Sequence, residues 1–145
     1  MTDKNGFTLL ELIVVVAIIG VMAGFVVINF GGSREEAQNT QRRSDIRQYQ
    51  TSIEVYANAN NGNYPSAVDA MVDVCNTSLG QYASQCPDDP VSTMPSYQYS
   101  ATSARYVIWA QLAKSDTFYV VCSNGAIGEL PDTWTGPAGA GACPL

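Results

Sequence analysis

The stretch that decides the reading is "GFTLLELIVVVAIIGVMAGFVVINF", residues 6–30. From Phe7 to Phe30 it runs for 24 residues, almost wholly apolar, with one carboxylate, Glu11, near its start. A helix of that length reaches roughly 36 Å, against about 30 Å of bilayer hydrocarbon. A membrane-spanning helix is therefore expected over 7–30. A secretory signal peptide fits poorly, because its apolar core usually has about 7–15 residues and ends in a small-residue cleavage site. Before the run, Lys4 and the chain's amine stand against Asp3; after it come Arg34, Arg42, Arg43 and Arg47, with Glu35 and Glu36 between them. Positive charge alone leaves the orientation ambiguous or reversed.

Glu11 is the anomaly. A carboxylate inside hydrocarbon costs about 2.5–3.5 kcal/mol on insertion scales. An ordinary anchor would let such a group snorkel as a neutral acid. Gly20 and Gly24 form a G-x-x-x-G spacing, which permits close helix contact in membranes but also fits ordinary glycine usage there. Gly31 and Gly32 each weaken a helix by about 1 kcal/mol relative to Ala. They mark either a hinge or point of local melting on assembly, or a simple break between anchor and head.

The Gly6-Phe7 junction, with an acid at the fifth position after it, resembles the amino-terminal segment of type IV pilins and of the related type II secretion pseudopilins. The segment "YANANNGNYPS", residues 56–66, is similar to the one that closes their long helix. The resemblance implies a leader over 1–6, cut between Gly6 and Phe7 by a dedicated prepilin peptidase, with methylation of the new Phe7 amine. It implies a transmembrane and assembly helix over 7–30 and a periplasmic or extracellular head over 31–145. Where the family often has a proline, this chain has Ile28. The implied function is that of a structural subunit, not an enzyme. It would sit in the cytoplasmic (inner) membrane and then polymerise, copy on copy, through its N-terminal helices into a type IV pilus-like filament. The alternative is a type II secretion pseudopilin in a short periplasmic pseudopilus. A non-polymerising, membrane-anchored binding domain is the reading from another class. In a staggered filament, Glu11 would meet the Phe7 amine of a neighbour. Removing one partner of such a buried pair costs about 3–5 kcal/mol, so the pair specifies register. Gly20 and Gly24 would give close contact.

The rest reads as an α+β head. "SREEAQNTQRRSDIRQYQTSIEVYANAN" predicts an amphipathic helix over 33–60, with Ser33 as N-cap and Glu35 and Glu36 in the first turn. Ile46, Tyr49, Ile53 and Tyr56 form one apolar stripe, which requires a partner surface. Arg34, Arg42, Arg43 and Arg47 lie off it, as a solvated face or as partners for acids of a neighbouring subunit. Glycine and proline in "NNGNYPS" end the helix. Residues 67–75 read as a short helix. Strand patterns follow at 96–100, 104–112 and 117–123, with "AKSD" as the last turn, giving an antiparallel meander. On the middle strand, Tyr106, Ile108, Ala110 and Leu112 share a face. The Gly- and Pro-rich tail over residues 125–145 reads as loop.

The chain has 145 residues, formal net charge −6, no histidine and four cysteines. The charge argues against nucleic-acid binding, and histidine-based catalysis or metal ligation is excluded. No nucleophile–base pair, phosphate loop or cofactor motif appears. The cysteines, at 75, 86, 122 and 143, read as two disulfides in an exported head. Three connectivities exist; Cys75–Cys86 with Cys122–Cys143 is favoured, because the second would clamp the tail onto the last strand. A four-thiolate zinc site lacks C-x-x-C spacing. Some pseudopilins bind calcium in loops, which makes Asp88, Asp89 and Asp116 candidate ligands. A hard cation wants about six to eight oxygens, and solvated turns are the simpler reading, so no metal or other cofactor is expected.

Overall fold

The computed structural model describes residues 6–27, 30–113 and 117–145. It divides into two compact units, residues 1–35 and 36–145. Helix α1 spans Leu9–Val27 and helix α2 spans Phe30–Ala59. Gly31, Gly32 and Ser33 all lie within α2, so Ser33 is not an N-cap, Glu35 and Glu36 are not in a first turn, and the chain does not break at the glycines. Extending an existing helix costs far less than nucleating a new one, which outweighs the glycine penalty. Ile28, Asn29, Lys114, Ser115 and Asp116 fall outside the described residues, and so do residues 1–5.

In the larger unit, five antiparallel strands run in chain order: β1 (Val68–Ala70), β2 (Gln98–Ala101), β3 (Tyr106–Gln111), β4 (Thr117–Cys122) and β5 (Ile127–Pro131). Between β1 and β2 come α3 (Met71–Val74) and a π-turn over Cys75–Leu79. Three of the strands lie where the alternation predicts, β3 and β4 trimmed and β2 shifted to end at Ala101. β1 is hidden in a stretch that reads as helix. β5 lies in the tail expected to be loop, where Gly128 and Pro131 mask its pattern. Pro131 is tolerated because β5 is an edge strand.

Register explains the core. Ala101 faces Tyr106, Tyr99 faces Ile108, Ile108 faces Val121 and Ala110 faces Tyr119, so these side chains share the inner face of the sheet. Ile46, Tyr49 and Ile53 of α2 are fully buried in the same cluster, with Tyr56 half-buried at its margin. Fully burying one such aliphatic side chain stabilises by about 1.5–3 kcal/mol. The opposite face carries Val107, Val120 and Cys122. It is covered by the segment after β5: Trp134 meets Trp109 at 5.3 Å and Phe118 at 5.5 Å between ring centroids. Cys122 is bonded to Cys143, and Cys75 to Cys86. Gly141 has φ +66°, and a Cβ there would lie 2.3 Å from the Arg105 carbonyl oxygen. The covering segment needs glycine at that point for both reasons.

Four buried phenols of the core are paired with helix carboxylates and loop carbonyls, whereas the buried Tyr119 hydroxyl has no hydrogen-bond partner among the described residues. Tyr97 donates to Asp45 at 2.7 Å and Tyr106 to Glu54 at 2.9 Å. Tyr99 donates to the Pro65 carbonyl, and Tyr49 to that of Pro87. Arg42 is fully buried against Asp89, with Nε–Oδ2 2.7 Å and Nη2–Oδ1 2.8 Å. Arg43 reaches Glu129 on β5 at 2.8 Å and lies over the Tyr119 ring. The expected solvated or intersubunit role of the arginines is thus corrected for these two. Their acids come from their own chain, because the fold returns the 86–91 loop and β5 to α2.

Two outcomes follow from this packing. Burial pushes the phenols of Tyr49, Tyr97, Tyr99 and Tyr106 well above the usual range, and the carboxylates facing Tyr97 and Tyr106 add to the shift. The unfolded chain releases these protons near pH 10. Above that pH the folded form holds protons that the unfolded form has lost, so stability is full below about pH 10 and falls as pH rises. Of the eight tyrosines, these four should give phenolate absorbance only together with loss of tertiary circular dichroism. Titration of all eight with the fold intact would contradict this. Second, replacing both Cys122 and Cys143 by Ser should cost about 3 kcal/mol in denaturant unfolding. It should also shift tryptophan emission to the red, as Trp134 leaves Trp109.

Candidate assembly site

The site is the segment that opens α1. Gly6, Phe7 and Thr8 precede the helix, and Phe7 is 91% exposed. The first turn is then closed reciprocally. Glu11 Oε2 accepts from the Thr8 backbone N–H and from the Thr8 hydroxyl, each at 2.9 Å. Thr8 Oγ1 accepts from the Glu11 N–H at 3.3 Å, and the Thr8 carbonyl accepts from Leu12 N–H at 3.3 Å. This is a capping box, with Thr8 as N-cap and Glu11 at the third helical position. The signal was present in the sequence as T-x-x-E before an apolar run; Thr8 is the site residue that the sequence reading passes over.

Beyond that turn, every described side chain of α1 is exposed, including Leu9, Leu10, Ile13 and Val16. A helix apolar on all sides calls for lipid or other apolar helices around it. A Cβ built on Gly20 or Gly24 meets nothing within 4 Å, so both glycines open a smooth strip of helix surface. At about 1.5 Å per residue the 19 residues of α1 reach roughly 28 Å. Among the described residues, no helix is long and apolar enough to cross a membrane. The apolar run of the sequence continues from α1 into residues 28–29, which lie outside them.

In the larger unit, Asp89, a candidate calcium ligand, has both oxygens committed to Arg42 and takes the Val91 N–H at 2.8 Å as well. Asp88 accepts the backbone N–H of Asp89. Among the described residues, no group of three or more Cys, Asp or Glu side chains could hold a metal ion. Asp89, so committed, has no oxygen left unshared for a calcium ion, and Asp116 lies outside the described residues. The nearby Asp45 carboxyl is pushed up by burial, against the lowering effect of its hydrogen bond from Tyr97, and the charge of Asp89 adds to the rise.

Comparison with known proteins places this geometry. Residues 1–27 match the prokaryotic N-terminal methylation motif. The type II secretion system core protein G of Vibrio cholerae is 34% identical over 108 residues, covering 68% of this chain and 72% of that protein. The chain belongs to the type II secretion core protein G family. The core protein G of Aeromonas hydrophila is 34% identical over 97 residues, covering 60% of this chain and 67% of its own length. That of Pseudomonas aeruginosa is 28% identical over 113 residues, covering 71% and 78%. No solved structure matches the chain significantly. Of the two filament readings, the pseudopilin is the better supported, since these core protein G relatives carry a secretion name and not a pilus name. A pilus-like subunit remains compatible with the same fold.

For this pseudopilin, Thr8→Val should remove both side-chain links to Glu11. Loss of an N-cap costs about 1 kcal/mol, so amide exchange over residues 9–12 in micelles should rise roughly five-fold. Unchanged exchange there would show that the first turn is held by something else.

Proposed function

We propose that the chain is a structural, non-enzymatic subunit of a short periplasmic pseudopilus. It is held in the inner membrane by the run 7–30, cut between Gly6 and Phe7 by the prepilin peptidase, and methylated on the Phe7 amine. It then polymerises with further copies, by way of the type II secretion machinery, through its N-terminal helices. The supporting observation is the form of α1: an apolar helix exposed on all sides, with one carboxylate placed in its first turn. In lipid that carboxylate is costly. Beside the Phe7 amine of a staggered neighbour it becomes half of a pair, while Gly20 and Gly24 let the helices approach. The two disulfides suit a head exported to an oxidising compartment.

The test is Glu11→Ala, read as crosslinked oligomers against the total membrane pool, with the amino terminus of the extracted protein determined in parallel. The wild-type protein should begin at Phe7, methylated. The variant should stay inserted, with both disulfides formed, and lose most of its oligomers, since each added subunit would bury an unpaired amine at a cost of about 3–5 kcal/mol. Wild-type oligomer yield from the variant would show that Glu11 does not set register. A wild-type chain that keeps Met1 would remove the processing step from the reading.

A further inference from the structure

Residues 80–97, between the π-turn and β2, contain neither helix nor strand. Irregular stretches of this length are uncommon inside compact domains, because nothing periodic holds their backbone. This one is fastened at its middle. Cys86 is bonded to Cys75, the Pro87 carbonyl accepts from Tyr49, and Asp89 receives Arg42 through two parallel hydrogen bonds. Arg42 is not only a partner for Asp89. Its Nη1 donates to Asn39 Oδ1 at 2.9 Å. Asn39 in turn accepts the Ala113 N–H at 2.8 Å and donates to the Ala113 carbonyl at 3.0 Å. One turn of α2 thus joins the 86–91 loop to the chain just past β3.

We propose that Arg42 is the built-in cation of this loop, holding residues 86–91 and the end of β3 in register without a metal ion. A buried carboxylate needs a cation or a proton. Asp89 has its cation at hydrogen-bond distance, in the bidentate geometry that a guanidinium supplies. A bound calcium ion leaves when free calcium falls, whereas a guanidinium is covalently tethered and stays charged at all working pH values. Loop order is then a property of the chain and the disulfide, indifferent to the calcium level of the compartment. The inference does not rest on polymerisation.

The experiment uses the full chain in detergent micelles with its disulfides intact. Thermal unfolding followed by near-ultraviolet circular dichroism should superimpose in millimolar calcium and in excess chelator. Arg42→Met should lower the midpoint by roughly 10 °C or more, since it leaves a buried carboxylate unpaired. It should also open 86–91 to protease and speed amide exchange at Ala113, with no recovery on adding calcium. Arg42→Met combined with Asp89→Leu should recover most of the midpoint, because both charges are then gone. If Arg42→Met does not fold, Arg42→Lys, which keeps charge but not the fork, should show a smaller loss that is equally silent to calcium. A wild-type midpoint raised by calcium or lowered by chelator would overturn the proposal. So would normal Ala113 exchange and normal protease resistance in Arg42→Met.

Discussion

The stripe Ile46–Tyr49–Ile53 on α2 has to be covered, and the architecture of the larger unit answers that demand. A helix can bury one face on a sheet only if the sheet offers a matching face. β2, β3 and β4 provide it by alternation, with Tyr99, Ile108, Tyr106 and Val121 all turned inward. The order β1 to β5 follows the chain without crossovers; β2 to β5 are joined by short turns, and the long connection lies between β1 and β2. Such a meander leaves long loops only where something else restrains them.

What restrains them is polar, and it is concentrated on α2. Arg42, Asp45, Tyr49 and Glu54 all point at the sheet side, and each finds a partner there. Burying these groups gains little over hydrophobic replacements of the same shape, but leaving any one unpaired is costly. Their effect is therefore selective. They accept one placement of the 86–91 loop and one set of tyrosine positions. Tyrosine suits this arrangement because it adds a large apolar body and a single directional donor.

How much of this could be read from the amino acids varies with the kind of signal. The stripe of α2, three of the strands and the inner face of β3 follow from periodicity, which reports burial directly, and α1 follows from the length of its apolar run. The family follows from the Gly6-Phe7 junction and Glu11. β1 was invisible because it has three residues and only a half-buried Ala70 on it. β5 was invisible because glycine and proline interrupt its alternation. The burial of Arg42 could not be read at all, since its partner lies 47 residues away and only the closed fold brings them together. Thr8 was legible through its spacing from Glu11, but the apolar run beside it draws the attention. Ser33 shows the reverse error, a good local signal overruled by helix propagation.

The outer face of the sheet takes Trp134 and Cys143 of its cover from residues later in the chain than all five strands. A polypeptide made from its amino end therefore completes β3 and β4 before Trp134 or Cys143 exists. Until then Val107, Val120 and the Cys122 thiol are uncovered, and thiolate exchange with Cys86 or Cys75 is open to it. The order of synthesis favours the correct outcome. Cys75 and Cys86 are only 11 residues apart and both emerge first, so they can be joined before Cys122 appears. The sequential pairing is thus also a temporal one. Each cysteine meets its partner before the next competitor is made, and the last bond to form seals the face that was last to be covered.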